Sequence, residues 1–270
     1  MTSTDKILAE KAHIQKQWNA NPCGQVGDIT YDLDYFKRVE DNRYEQYGPW
    51  MKAFYKYDDK KWSGKKLLEV GFGQGTDLVQ YSKSGAHVYG IDYTPHHVEL
   101  AQLNFKLRGI QANLIQGDAA QLPYSDNEFD KIVSFGVLHH TPDTQKCFDE
   151  VHRVLKPGGE FVLSLYHQNG FFYYYVKLFV QGLLKGKLFT LGYKGLMATV
   201  EAGADGKEIK PVVKVYSKRK LRRMLKDFSS VRFDIRHLKP AHLPPLMQGE
   251  GIRNRLRKKY GWYIIATAIK

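Results

Sequence analysis

Residues 66–76, KLLEVGFGQGT, decide the fold: a short apolar run leads into a loop with glycine at positions 71, 73 and 75. Such a run ending at glycines is typical of a buried strand followed by a tight turn. The next residues, 76–84, predict a helix that Gly85 ends. Because the N-terminus of a helix favours anionic groups, the loop predicts a site for a carboxylate or phosphate of a ligand.

Strands and helices alternate downstream of this loop. Further strands are predicted at 86–92, 112–118, 129–135 and 160–166, with helices at 95–107 and 143–155. This alternation favours a parallel α/β sheet covered on both faces. A basic helix at 217–228 and two last strands at 231–238 and 262–269 follow.

The patterns divide the chain into four regions. Residues 1–64 form an N-terminal cover, which begins with a helix of about twenty residues and continues as an irregular, aromatic-rich segment. Residues 65–167 form the α/β core, and 168–213 form an irregular insertion after strand five. Residues 214–270 hold the helix and the two strands that complete the sheet.

The composition is that of an ordinary globular protein, with an uneven charge. The 270 residues are 43% hydrophobic and 26% charged, which excludes disorder, collagen-like repeats and a disulfide scaffold. The net charge is +13, yet residues 1–170 carry 19 Lys and Arg against 22 Asp and Glu. Residues 171–270 carry 22 against 6. This skew indicates a negatively charged partner: a phosphate, a nucleic acid or an anionic membrane.

Cysteine content and targeting signals favour a reducing compartment. The cysteines, Cys23 and Cys147, have neither disulfide-framework nor metal-ligand spacing, and no metal site is predicted. The first fifteen residues lack the apolar core of a signal peptide, so a cytoplasmic location is expected. Residues 171–184, FFYYYVKLFVQGLL, are too few to span a bilayer. Their mixture of aromatic residues and nearby lysines suits an interfacial helix, so peripheral membrane contact is an open alternative.

Acidic residues follow the predicted strands. Asp92 ends the second strand, where a carboxylate can accept hydrogen bonds from ribose hydroxyls. Asp118 ends the third, where it could accept from an adenine amine. The dinucleotide fingerprint G-x-G-x-x-G needs glycine where Thr76 stands, which disfavours a nicotinamide-dependent reductase.

These motifs resemble those of the class I S-adenosylmethionine (SAM) methyltransferases, small-molecule type. LEVGFGQG is similar to the first motif of that family, YGIDYT to the second, and QGDAAQLPYSDNEFDKIVSFGVLHH to the third and fourth. RVLKPGGEFVLSLY is similar to the segment that opens strand five, so the resemblance covers about residues 65–167. It implies a doubly wound, mostly parallel seven-stranded sheet of order 3-2-1-4-5-7-6, with strand seven antiparallel.

The resemblance also implies the cofactor and its contacts. One set of residues would bind the methionine part of SAM and a second set would bind its nucleoside part. A third set, after strand four, would face the cofactor. These are Glu69, Gly71, Gly73 and Gly75 for methionine; Asp92, Tyr93, Asp118 and Ala119 for the nucleoside; and Phe135 and Gly136.

Four residues at the same sheet edge are candidates for catalysis. His139 and His140 follow strand four, and Tyr166 and His167 end strand five. Histidine suits a general base near neutral pH. His140 is a common family feature with a structural explanation, so His139 and His167 are the sharper candidates, although capping and packing remain alternatives.

The cover contributes the candidate substrate or lid residues. They are Trp18, Arg43, Tyr44, Glu45 and Tyr47. Aromatic side chains here would exclude water from the pocket, or would simply pack.

The predicted function is transfer of the SAM methyl group to a small-molecule or lipid-like acceptor by in-line displacement. Residues 134–140, SFGVLHH, lack the Asn/Asp-Pro-Pro-aromatic run of enzymes that methylate base amines, which favours O-, S- or C-methylation, or methylation of an aliphatic amine. Two alternatives stay open. One is an RNA or protein methyltransferase docking through the basic C-terminal region, and the other is a non-catalytic protein that binds SAM or a partner.

Overall fold

The computed structural model describes residues 3–47 and 49–270, which fold around one seven-stranded sheet. The strands are β1 Lys66–Val70, β2 His87–Asp92, β3 Asn113–Gln116, β4 Phe129–Phe135, β5 Leu155–Tyr166, β6 Ser230–Arg236 and β7 Tyr263–Ile269. The α-helices are α1 Ser3–Ala20, α2 Leu33–Tyr47, α3 Pro49–Tyr55, α4 Thr76–Lys83, α5 Pro95–Leu107, α6 Thr144–Val154, α7 Lys187–Ala198, α8 Lys218–Met224 and α9 Glu250–Tyr260. A π-helix spans Phe172–Leu184.

The strand order is β3-β2-β1-β4-β5-β7-β6, which confirms the predicted order 3-2-1-4-5-7-6. β1 to β5 run parallel, and β7 runs antiparallel between β5 and β6. The register places Glu69 of β1 between Gly90 of β2 and Val133 of β4. The carboxyl ends of β1, β2 and β4 therefore meet at one edge, where open α/β sheets bind ligands.

The two faces of the sheet are both buried, as a doubly wound arrangement requires. Leu67 and Val133 pack into one hydrophobic cluster, together with Tyr55 and Tyr81 of the flanking helices. Leu68 and Ile132 pack into the other cluster. Burial on both faces explains why these strands are continuous apolar runs rather than alternating ones.

The prediction that residues 21–64 are irregular after the first helix was wrong. The structure places α2 and α3 there, and Tyr35, Phe36 and Val39 bury one face of α2. Polar and charged residues around this narrow face obscured the helical period in the sequence. Contacts with the core, rather than local propensity, determine that such a segment is helical.

The insertion at 168–213 was also predicted as irregular, and its first half is helical. The π-helix and α7 form a helical hairpin. Helix α7 itself has a kink at Gly192, where φ is 66° and ψ is 176°. A π-helix does not repeat every 3.6 residues, so the usual search for helical periodicity misses it. In the described parts of the chain, no helix is both long and apolar enough to cross a bilayer.

Candidate functional site

A cavity of about 530 Å³ lies at the carboxyl ends of β1, β2 and β4. The glycine loop forms one wall, and the loop after β4 forms another. Helices α1 and α2 contribute Trp18, Arg43 and Tyr47 from the cover. The volume lies in the range of about 300–1,000 Å³ that is typical of cofactor and small-molecule sites.

The glycine loop brings its backbone directly to the cavity. Gly71 has φ +78°, and a Cβ atom there would lie 2.4 Å from the Cγ atoms of Val137. Gly73 has φ +54° with open space around it, so its backbone lines the cavity uncovered. Gly75, at the start of α4, instead packs against Phe105 and lies outside the cavity lining.

A buried carboxyl stands behind this loop. Glu69 is 3% exposed and lines the cavity, and its Oε2 has no hydrogen-bond partner among the residues that the structure describes. Burial, and then the nearby charge of Asp77, raise the pKa of Glu69 well above its usual value, although Arg43 opposes this. The free oxygen can accept a hydrogen bond from a ligand's ammonium group.

Asp77, in the first turn of α4, anchors the cover to the core. Its Oδ1 accepts hydrogen bonds from Arg43 Nε at 2.8 Å and from the Tyr44 hydroxyl at 3.0 Å. Burial opposes the charge of Arg43, but the Asp77 carboxylate raises the Arg43 pKa above its usual value. Asp77 was not among the residues predicted from the sequence, although an acid in the first turn of the helix behind a glycine loop is a visible signal.

Asp92 ends β2 and ties the glycine loop to that strand. Its carboxylate accepts hydrogen bonds from the backbone amides of Gly73 and Thr94, both at 2.9 Å. His97 Nδ1 lies 3.2 Å from it. Each carboxylate oxygen has further acceptor capacity, so Asp92 can also receive ribose hydroxyls.

Helix α1 closes the nucleoside end of the cavity. Ile7, Lys11, Ile14 and Trp18 line the cavity at spacings of four, three and four residues, which is one helical face. The Lys11 ammonium pairs with the carboxylate of Asp118. Asp118 therefore lines the cavity and also connects the core to the cover, through a lysine that was not singled out in the sequence.

The remaining predicted cofactor contacts come together in the cavity. Its lining includes Tyr93, Ala119, Phe135 and Gly136. Of the predicted cover residues, Tyr44 is turned toward Asp77 and outside the lining. Glu45 is exposed and also lies outside the lining, because it occupies another face of α2.

His140 is the catalytic candidate that lines the cavity. Its Nδ1 lies 2.7 Å from the carbonyl oxygen of Val212, and its Nε2 lies 3.6 Å from Glu201 Oε1. The Trp18 ring packs edge-on against it, with centroids 5.6 Å apart. Glu201 follows α7, and the sequence offered no signal that joins it to a loop sixty residues earlier.

His139 and Tyr166 lie behind His140. The His139 ring is fully buried between the rings of His140 and Tyr166, at centroid distances of 4.1 and 3.9 Å. Burial, and then the neighbouring His140, lower the His139 pKa well below its usual value, so the ring is neutral. The Tyr166 hydroxyl donates to Glu201 Oε1 at 3.0 Å.

His167 is directed away from this group. Its Nδ1 lies 3.1 Å from the carbonyl oxygen of Gly261, and it lines a separate depression with Lys218 and Arg219. Successive side chains of a strand point to opposite faces, so Tyr166 and His167 cannot both face the cavity. The geometry does not bring His167 to the predicted site.

Residues 68–163 match the family model of a methyltransferase domain, Methyltransf_11. The match covers the strand ends and loops of the core that line the cavity, whereas α1, α2 and the segment between them lie outside it. The chain carries a class I SAM-dependent methyltransferase domain. The cofactor of this domain is SAM, the methyl donor of the class I methyltransferases.

The curated relatives of this methyltransferase domain are similar over part of their length. The sterol 24-C-methyltransferase of Pneumocystis carinii is 33% identical over 39% of this chain and 30% of its own length. The demethylmenaquinone methyltransferase of Staphylococcus saprophyticus is 38% identical over 44% of this chain and 52% of its own length. This chain thus spans about half or less of these two relatives.

Solved structures share the fold of the methyltransferase domain. A SAM-dependent methyltransferase from Methanosarcina mazei is 20% identical, with a TM-score of 0.57 over 83% of this chain and 97% of its own. One from Aquifex aeolicus is 19% identical, with a TM-score of 0.51 over 88% and 98%. At this identity the likeness concerns the fold.

The residues of the methyltransferase domain fit SAM. The unpartnered oxygen of Glu69 suits the ammonium of the methionine part, and the uncovered backbone at Gly73 allows close approach of a ligand. Asp92 has acceptor capacity for the ribose, and Tyr93 offers an aromatic face. These groups line one continuous cavity, as a cofactor with amino-acid and nucleoside ends requires.

Proposed function

We propose that this protein transfers a methyl group from SAM to a hydroxyl, a thiol or an activated carbon of a small, largely apolar acceptor. The observation that carries the proposal is the cavity itself, which extends from the glycine loop to a wall formed by His140. Behind that wall lie the buried Glu201 and Tyr166. A cavity with a cofactor cradle and a polar cluster at its wall has the parts that methyl transfer needs.

The residues of the site divide the work. SAM supplies a methyl group carried on a sulfonium. Glu69, Asp92 and the glycine-loop backbone fix the direction in which that methyl points, and positioning alone can account for much of the rate. The cluster at His140 stabilises the loss of the acceptor's proton, which a hydroxyl or thiol must give up to become a good nucleophile.

Aromatic walls favour an apolar acceptor. Trp18, Tyr47 and Phe135 line the cavity, and the Tyr47 and Phe135 rings pack 5.1 Å apart. The relatives named for sterol and demethylmenaquinone methylation support a lipid-like acceptor here. Rings that exclude water would also protect the methyl donor from side reactions.

A methyl-donor turnover assay tests the proposal. The purified chain is incubated with SAM and separately with hydroquinones, phenols, thiols, fatty acids and an RNA oligonucleotide, and S-adenosylhomocysteine is measured. We expect turnover with one of the first four classes and none with RNA. Failure to bind SAM would contradict the proposal outright, while SAM binding with turnover only on RNA would favour docking through the basic region.

We also propose that the helical hairpin at 172–198 contacts an anionic membrane surface. Apolar side chains stand exposed on it, with Leu184 68% and Phe189 79% accessible to solvent. Lys185 and Lys187 lie between them in the sequence, within the last hundred residues, which carry the excess of positive charge. Apolar residues beside lysines are what binding to the headgroup region requires, and a lipid-like acceptor would be found there.

Vesicle co-sedimentation tests this contact. The double variant Leu184→Ser/Phe189→Ser should reduce pelleting with phosphatidylserine vesicles at least fivefold, while Leu107→Ser, an exposed leucine at the end of α5, should not. Vesicles of neutral phosphatidylcholine should bind less protein. Equal pelleting of all variants would show that the hairpin is not the contact.

A further inference from the structure

Three side chains with metal-ligating atoms converge at the wall of the cavity. One ligand atom from each of His139, His140 and Glu201 lies within 4.8 Å of the other two. All three side chains are buried, and they come from the loop after β4 and the segment after α7. We propose that His139, His140 and Glu201 bind one divalent transition-metal ion, for which Zn²⁺ is the best match.

The unpartnered nitrogens of His139 are the first argument. Although the side chain is fully buried, neither ring nitrogen has a hydrogen-bond partner in residues 3–47 and 49–270. A buried polar atom without a partner costs about 1–3 kcal/mol, so such an atom calls for an explanation. A bound cation supplies one, because the lone pair of a neutral imidazole is a good metal ligand.

The second argument is that the other two ligands are already oriented. A carbonyl oxygen only accepts hydrogen bonds, so the contact of His140 Nδ1 with Val212 places the ring proton on Nδ1 and leaves a lone pair on Nε2. Glu201 Oε1 accepts from the Tyr166 hydroxyl. Metal-binding histidines and carboxylates have just such outer partners, a backbone carbonyl for the one and a hydroxyl for the other.

The charge of Glu201 is the third argument. Among the described residues, its partner within ion-pairing distance is His140. The nearby ammonium of Lys177 donates instead to Gln181 and to Thr199. A buried carboxylate without a full counter-charge is costly, and a divalent cation would neutralise it.

The spacing and the ligand types select the ion. Bonds of about 2.0–2.2 Å in tetrahedral geometry place neighbouring ligand atoms about 3.4 Å apart. His140 Nε2 and Glu201 Oε1 are 3.6 Å apart, and a nitrogen of the unbonded His139 ring lies within 4.8 Å of the other two ligand atoms. Two imidazoles and one carboxylate suit zinc and leave one position open, as in catalytic rather than structural sites.

The role of the ion rests on the proposed function. His140 lines the cavity and the other two ligands lie behind it, so an ion bound by all three lies within the cavity wall, next to His140. An acceptor hydroxyl or thiol at the open position would have its pKa lowered by the cation. The ion, rather than a histidine nitrogen, would then stabilise the loss of the acceptor's proton.

Metal titration tests the site without any turnover. The full chain is freed of metal with a chelator and titrated with Zn²⁺ alone, and then with Co²⁺, whose visible absorption reports coordination by nitrogen and oxygen. We expect one ion per chain and at least a hundredfold weaker binding in His139→Ala and in Glu201→Gln. Tyr166→Phe removes only the outer hydrogen bond and should weaken binding about tenfold.

An exposed histidine provides the matched control. His87→Ala removes an imidazole at the start of β2 and should leave zinc affinity unchanged. SAM binding, measured on every variant, reports that the cavity is folded. The inference is overturned if the chain does not bind zinc, or if all variants bind it with equal affinity. If the chain binds SAM but not zinc, the inference fails and the proposed function stands. Zinc binding without SAM binding would refute the proposed function alone.

Discussion

The two sides of the cavity are built in different ways. The cofactor side consists of strand ends and loops within residues 69–136, where the backbone at Gly71 and Gly73 lines the cavity. The acceptor side is assembled from separate segments, with Trp18 from α1, Tyr47 from α2 and Glu201 from beyond α7. Backbone recognition tolerates little change, whereas a wall of side chains can change its specificity while the cofactor site stays constant.

The largest effect is expected on the cofactor side, at Gly71. Gly71→Val places a branched side chain at φ +78°, where even a Cβ atom would lie 2.4 Å from Val137. SAM affinity measured by calorimetry should fall more than a hundredfold. Gly249→Ala is the control, because Gly249 has an ordinary φ of −57° and open space. Retained affinity in Gly71→Val would break the comparison.

The junction between the two sides should show the next largest effect. Asp77→Asn leaves the half-buried Arg43 guanidinium without its counter-charge, and breaking a pair whose carboxylate is buried costs about 3 kcal/mol of unfolding free energy. Asp34→Asn breaks the exposed pair with Lys37 and should cost less than about 1 kcal/mol. Denaturant unfolding measures both. Similar losses in the two variants would show that the cover is not anchored through Asp77.

On the acceptor side, His140 and His167 should separate binding from turnover. His140→Ala should lower acceptor-dependent turnover about a hundredfold while SAM affinity changes less than threefold, because His140 lies at the acceptor wall. His167→Ala should leave both nearly unchanged, since His167 faces the carbonyl of Gly261. The opposite pattern would indicate that the acceptor lies beside His167 rather than beside His140.

The residues packed behind the acceptor side should be sensitive to acid, and one of them is His237, whose ring lies outside the cavity lining, 5.3 Å from that of Tyr47. Burial, and then the charge of Lys239, lower the pKa of His237 to about 3, whereas the unfolded chain has the ordinary value of about 6.5. Below pH 6.5 the His237 side chain is protonated in the unfolded state but not in the folded one. The free energy of unfolding therefore falls as the pH drops, by about 2 kcal/mol at pH 5. His237→Asn, which tolerates the φ of 67° at this position, should remove this part of the difference between unfolding at pH 8 and pH 5. An unchanged pH profile would contradict it, and the exposed His87→Ala serves as control.

The smallest effect is expected at the cover of the nucleoside end. Lys11→Gln removes the ion pair with Asp118 and should speed SAM dissociation about threefold, as a partly exposed pair contributes at most about 1 kcal/mol. The native rate should also rise with salt, while the variant's rate should not. Stopped-flow measurements decide this, and identical salt dependence would show that Lys11 does not hold the cover.

Local patterns in the sequence predicted the strands and the glycine loop of the cofactor side. β4 and α5 have the predicted bounds, because a buried apolar run between turn residues is a local signal. The acceptor side was predicted poorly, because its contacts join distant residues. Nothing near Glu201 points to His140, and no pattern in α1 pairs Lys11 with Asp118. His167 was placed wrongly because strand parity, which separates it from Tyr166, depends on where β5 ends.

The position of β7 in the sheet has a consequence for how the chain is made. β7 lies between β5 and β6, and it pairs Tyr263 with Tyr166, about a hundred residues earlier. During synthesis β5 must therefore remain an open edge until residues 263–269 leave the ribosome, and β6 has no neighbour until then. A ribosome stalled before residue 263 would thus carry a sheet with an unpaired edge, which chaperones recognise and to which other chains add.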